Sequence, residues 1–260
     1  MFLFKKKEPV PSGRILCCIF NHNENEKAIM WSNRLSPWFR TVILDSGSNP
    51  PCDHPTAVNL ENIYYSGLVN EAWRLAKEGN FPWVVILTSD LEISEENILP
   101  LVRRMEKISW STNVGLYQPA NSRKGTSHWH SRYKWPPIMR RRWFQEGWFH
   151  MVRVDLLDKI CPIDLNINRL GWGIDVVLSY FSVLSRRLIL VDSGVTVEPP
   201  AGTGYNREEA ERQMWEWYKT IPGFTDPKNL GTVRGPIRYD TALMTAETGR
   251  SAEEKPAKTV

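Results

Sequence analysis

Cysteine is scarce: the 260 residues contain four, Cys17, Cys18, Cys52 and Cys161. Two are neighbours inside an apolar run, and no Cys-x-x-Cys pair occurs. That argues against a thiolate zinc site and a disulfide framework, and fits a reducing cytoplasm. No apolar run approaches the roughly 20 residues that cross a bilayer. The apolar part of Met1–Lys7 is too short for a signal peptide. Its lysines suit at most a peripheral contact with an anionic inner-membrane surface, and a frayed terminus is the plainer expectation. Internal repeats are absent. Neither sign of charge dominates, since 33 basic residues face 29 acidic ones for a net +4.

What is present is an ordinary globular composition, 42% hydrophobic and 24% charged. The length suits one domain, about 13–242, between a flexible 1–12 and a disordered tail at 243–260, where the chain turns small, polar and charged.

The chain is organised around Trp83–Ile93. Trp83 to Thr88 is a nearly unbroken apolar run rich in β-branched residues, the pattern of a strand buried on both faces of a parallel sheet. It stops on Ser89-Asp90-Leu91-Glu92, two carboxylates one residue apart at the strand's carboxyl end. Ligands of open α/β sheets bind at such ends. Carboxylate oxygens there suit Mg²⁺ or Mn²⁺ shared with a substrate's phosphates. The plainer alternative is an aspartate that caps a turn.

Around that stretch, strand-like and helix-like runs alternate. Arg14–Phe20 reads as a strand ending in a polar burst that begins at Asn21, and Lys27–Leu35 as a helix. Thr41–Leu44 is a second strand, followed by the turn formers Asp45-Ser46-Gly47-Ser48, and Thr56–Leu60 a third. Ser66–Glu78 has helical spacing. Ser94 can cap a helix reaching about Ile108, with a kink or restart expected at Pro100. Gly115–Gln118 and Trp148–Val154 are further strands, and Asp155 is expected to cap a short helix. Gly171-Trp172-Gly173-Ile174-Asp175 precedes a helix over Val176–Leu184. Arg187–Val191 and Val195–Val197 read as short strands, and Asn206–Tyr218 as a terminal helix. The alternation implies an α/β fold with a mainly parallel sheet flanked by helices.

Pro119–Arg142 reads as a long, basic, aromatic loop, with Trp129 and Trp135 ahead of Arg140-Arg141-Arg142 and Trp143 after them. Aromatics beside arginines suit stacking on sugars or bases and pairing with phosphates, so nucleic acid enters as a second class of partner. A solvated arginine face and core tryptophans are the simpler alternative.

In this order the motifs resemble the nucleotide-sugar-dependent glycosyltransferases of family 2, with the GT-A fold. Leu44-Asp45-Ser46-Gly47-Ser48 is similar to that family's D-[ND]-G-S turn. Asn62 to Asn70 resembles its N-x-G-x-x-G-x-x-N stretch, with Tyr64 at the first glycine. Thr88-Ser89-Asp90-Leu91-Glu92-Ile93 resembles N-P-D-V-E-I, a form of the metal-binding D-x-D. Glu146-Gly147-Trp148 through Arg153 is loosely similar to the strand beside the acceptor. Gly171–Asp175 stands where the Y-G-E-D motif would, with Ile174 for its Glu.

The resemblance implies a nucleotide-binding half at about 13–118 and an acceptor half at about 119–225. It implies nucleotide contacts from Asn21, Asp45, Gly67 and Asn70, and a divalent metal on Asp90 with Glu92. Glu198 stands nearest the place of the family's metal-binding His. Sugar and acceptor contacts fall to Trp135, Gly147, Trp148 and Trp172. The implied activity is inverting transfer from a nucleotide-diphosphate sugar, UDP in the first instance, to a hydroxyl of a glycan or lipid-linked sugar, with Asp175 as general base. A transferase acting on hydroxymethylated DNA bases and a non-catalytic nucleotide-sugar-binding module are the alternatives.

Overall fold

The run of apolar residues ahead of Asn21 forms the first strand of the sheet, β1 (Ser12–Asn21), and from Ile15 onward neither face of it sees water. Ile15, Cys17 and Ile19 enter one hydrophobic core, while Leu16, Cys18 and Phe20 enter the other. That double burial is why the strand carries no polar alternation. In the computed structural model, residues 12–122, 139–142, 145–199 and 204–224 are described.

Next come α1 (Asn25–Leu35), β2 (Phe39–Ser46), β3 (Ala57–Leu60), α2 (Tyr64–Glu78), β4 (Trp83–Thr88) and α3 (Glu95–Ser109). The second half contributes β5 (Val114–Asn121), β6 (Met139–Arg142), β7 (Phe149–Arg153), α4 (Val154–Leu157), α5 (Ile174–Leu184), β8 (Leu188–Val197) and α6 (Arg207–Tyr218). The strands form one sheet in the order β3-β2-β1-β4-β7-β5-β8-β6. β3, β2, β1 and β4 run parallel, as do β5 and β8. β7 is antiparallel to both β4 and β5, and β6 is antiparallel to β8. The mixed, mainly parallel sheet matches the α/β expectation.

Helices cover both faces. Leu68, Val69, Ala72 and Ala76 of α2 and Ile174, Val177 and Leu178 of α5 enter one core, while Ala28, Trp31 and Leu35 of α1 and Leu101, Val102 and Met105 of α3 enter the other. Each of the Leu, Ile, Val and Met side chains among them contributes about 1.5–3 kcal/mol on leaving water.

Several local expectations need correction. Pro100 does not restart α3, which is one helix over Glu95–Ser109. The proline lies in its second turn and removes one backbone donor, a loss offset by the buried face that runs on through Ile108. Asp155 is not the cap of α4 but lies within it, and Arg153 stands at the N-cap. The two short strands around Arg187–Val197 are one, β8. Arg140–Arg142 is strand rather than loop, with Arg140 opposite Val191 and Arg142 opposite Ile189. Trp129 and Trp135 fall outside the described residues, as do the expected tail at 243–260 and all but one residue of the expected flexible terminus. No helix among the described residues is long and apolar enough to cross a membrane.

Candidate active site

The parallel strands β1, β2 and β4 end on the same edge of the sheet, and Asn21, Asp45 and Asp90 stand at or just past those ends. The parallel register pairs Asn21 with Asp45 directly. Asn21 Nδ2 donates to Asp45 Oδ1 at 2.8 Å and to Ser48 Oγ at 3.2 Å. The Ser48 hydroxyl also donates to Asp45 Oδ1, and the Cys52 N–H donates to Oδ2 at 3.0 Å. Asp45 is 1% exposed. Its carboxylate therefore organises the two loops beyond β1 and β2.

The start of α2 shows why the glycine pattern can carry a tyrosine. Tyr64 has φ +55°, the left-handed conformation glycine adopts most readily. The Asn62 side chain accepts its N–H at 3.2 Å, and the Arg169 guanidinium lies 4.8 Å from its ring centroid. Gly67 is forced, because a Cβ there would come within 2.6 Å of the Ile63 side chain. Asn70 is committed to structure, donating to the Ile163 carbonyl at 2.8 Å and accepting the Ile163 N–H at 2.7 Å.

Beyond β4, the Ser89 N–H donates to the Phe20 carbonyl and the Thr88 N–H to that of Trp148. Leu91 is fully buried, and its carbonyl accepts the Trp31 indole N–H at 3.0 Å. This clamps Asp90, whose Oδ1 is buried and accepts no hydrogen bond. Glu92 pairs with Glu198 as an isolated antiparallel bridge, N–H to carbonyl at 2.9 and 2.8 Å in the two directions. Both glutamates are exposed.

These residues fit Mg²⁺ or Mn²⁺ held by one or two carboxylates and completed by diphosphate oxygens and water. They do not make an all-protein cage: no group of three or more His, Cys, Asp and Glu able to hold a metal occurs among the described residues.

A second carboxylate approaches Gly147. Asp175 lies in the first turn of α5, where the helix dipole favours negative charge. Its Oδ1 accepts the Val176 N–H at 2.9 Å. Its Oδ2 lies 3.9 Å from where a Cβ on Gly147 would stand, and His150 Nε2 lies 3.8 Å from that same point. The Tyr65 hydroxyl donates to the Gly147 carbonyl at 2.6 Å.

Two glycines permit the turn into α5. Gly171 (φ +80°) would put a Cβ 2.5 Å from the Tyr65 ring, and Gly173 (φ +85°) would put one 2.3 Å from the Tyr218 hydroxyl. Asn168 ties this turn down, accepting the Gly171 N–H at 3.0 Å and donating to the Trp172 carbonyl at 3.0 Å. The Trp172 indole N–H donates to the Tyr205 hydroxyl at 2.5 Å, and the two rings meet edge to face.

Burial and then the Asp175 charge push the phenols of Tyr65 and Tyr218 up. Tyr205 is also raised, by burial and by Asp175, against the opposing effect of its hydrogen bond from Trp172. Asp175 is thus near enough to three phenols to disfavour their ionisation.

The structure therefore brings Gly147 and Asp175 together, with Trp172 in the turn ahead of Asp175, and places Asp90, Glu92 and Glu198 past β4. Trp148 is different: it is a core residue, with its indole N–H donating to the buried Glu146 carboxylate at 3.2 Å. Trp135 lies outside the described residues. Sequence reasoning missed His150, Tyr205 and Tyr218 and named Tyr65 only as part of a motif. For His150 a signal existed, since it is a polar residue between Phe149 and Met151 in the middle of a strand. For the tyrosines there was none, because α2, α6 and the chain ahead of α6 meet only in three dimensions.

No known protein family matches this chain, and no curated protein matches it in sequence. Solved structures do match its fold. TarS 1-349 of S. aureus, in complex with UDP-GlcNAc, aligns at a TM-score of 0.56 and 14% identity, over 85% of this chain and 70% of that one. GalNAc-T7 with UDP, GalNAc and Mn²⁺ aligns at 0.50 and 13%, over 85% of this chain and 54% of that one. At such identity the likeness concerns the fold, and the chain has the GT-A fold.

Proposed function

We propose that this protein is a nucleotide-sugar-dependent glycosyltransferase that uses a UDP-sugar and inverts the anomeric carbon. The observation that carries the reading is that two carboxylates are tied to one short segment, Gly147–Trp148. Asp175 Oδ2 is turned to Gly147, and Asp90, with its unpartnered buried Oδ1, follows Thr88, which is hydrogen-bonded to Trp148. Two solved structures with this fold carry UDP-GlcNAc in one case and UDP, GalNAc and Mn²⁺ in the other, which supports the donor class and the metal.

In the reaction, the acceptor oxygen attacks the sugar's anomeric carbon as the bond to the diphosphate breaks. Asp175 takes the acceptor's proton, a general-base contribution of about 10²–10⁴-fold. Tyr65 holds the Gly147 carbonyl and so fixes the floor of the cleft, while Trp172 and Tyr205 form its wall. Asp90, with one of the glutamates Glu92 and Glu198, would hold Mn²⁺ or Mg²⁺, which when bound offsets the charge on the departing diphosphate. The Asn21–Asp45 network shapes the loops that would meet the nucleotide.

The test is a screen of nucleotide-sugars for thermal stabilisation with Mn²⁺ present, followed by transfer or donor hydrolysis by wild type and Asp175→Asn. Stabilisation by a UDP-sugar with turnover lost in the variant is the expected result. Wild-type turnover from Asp175→Asn would remove it as the base.

A further inference from the structure

His150 lies on β7, a strand covered on both faces, and is 1% exposed. Phe149 and Met151 enter one core and Val152 the other, so by alternation His150 faces the side covered by α2 and α5. Its partner across the ladder is Ile86 of β4. Neither ring nitrogen has a hydrogen-bond partner. Buried polar groups are nearly always paired, so this one calls for a reason. Burial holds the ring neutral, with its pKa pushed down to about 3. One nitrogen therefore carries a proton and the other a lone pair. Nε2 and Asp175 Oδ2 flank the same point above Gly147, at 3.8 and 3.9 Å, and Gly147 has no side chain to stand between them.

We propose that His150 is a positioning residue for Asp175: its Nε2–H aims Oδ2 at the acceptor hydroxyl, through a hydrogen bond that closes once the nucleotide is bound. The proposal rests on the reading of Asp175 as general base. Such bonds are commonly long in an unliganded enzyme and tighten in the complex. Oδ1 already accepts the Val176 N–H, and a donor at Oδ2 would hold the second oxygen as well. No proton changes hands with His150: the acceptor's proton ends on Asp175, and the imidazole keeps its own.

His150→Leu preserves bulk without ring nitrogens, and His150→Gln offers an amide donor close to the place of Nε2. The leucine variant is expected to melt at or above the wild-type temperature, to bind UDP as wild type does, and to lose about a hundredfold in kcat. The glutamine variant should recover most of that loss. Wild-type kcat in His150→Leu, or a loss that His150→Gln leaves uncorrected, overturns the proposal.

A second measurement does not depend on activity. With ¹⁵N-labelled histidine and UDP bound, the His150 Nε2 resonance should move on Asp175→Asn. An unmoved resonance overturns the proposal whatever the wild type catalyses. A moved resonance in a protein that transfers no sugar preserves the pairing and removes only the transferase reading.

Discussion

Glu92 and Glu198 exchange a pair of backbone hydrogen bonds, at 2.9 and 2.8 Å, that fasten the segment after β4 to the end of β8. Residues paired this way present their side chains on the same face, and like charges directly opposite each other repel. A divalent cation with the UDP diphosphate would relieve that repulsion. With UDP present, Mn²⁺ should raise the melting temperature, by the equivalent of about 2.7 kcal/mol at a hundred times its Kd. Asp90→Asn should abolish the shift, and Glu92→Gln combined with Glu198→Gln should shrink it. A shift of full size in Asp90→Asn would place the metal elsewhere.

Asp45 accepts from three donors in a buried site, so its removal should be felt first as lost stability. A buried donor left without its partner costs about 1–3 kcal/mol. Asp45→Ala is expected to lower the unfolding free energy by about 3 kcal/mol or more, read as a lower urea midpoint at unchanged slope. Full stability with loss of UDP binding would instead assign the carboxylate to the nucleotide.

Acid should destabilise the protein partly through His150. Its folded pKa is about 3 against an ordinary 6.5, so between those values the unfolded chain binds a proton that the folded chain refuses. The contribution is therefore complete above pH 6.5 and falls by up to about 1.4 kcal/mol per pH unit as the pH drops toward 3. Stability measured against pH should show a shallower acid limb in His150→Leu than in wild type. Superimposable limbs would mean that the ring is protonated in the fold.

Gly147→Ala tests the cleft without disturbing the fold. The added methyl would meet nothing closer than His150 Nε2 at 3.8 Å and Asp175 Oδ2 at 3.9 Å, ordinary contact distances. Stability should change by less than about 1 kcal/mol. The ratio kcat/KM for the acceptor should nonetheless fall at least about tenfold, since the methyl occupies the approach to the base. Unchanged kcat/KM would mean that the acceptor enters from another side.

The sequence by itself determined the layers. Runs such as Trp83–Thr88 had to be central strands, because no alternating polar face was available to meet water, and the helices between them followed from apolar spacing. Turn chemistry put Asp45 and Asp90 at strand ends, and Gly171 with Gly173 marked the turn before Asp175. What the residues of a motif do was decided only by the tertiary structure. Asp45 and Asn70 are committed inward, Trp148 belongs to the core, and β7 enters the sheet antiparallel between β4 and β5. Those outcomes depend on which distant donors and side chains arrive at each position. Local propensity acts over a few residues, whereas the neighbours of Asp175 come from α2, β7 and the chain around α6, up to about 150 positions apart.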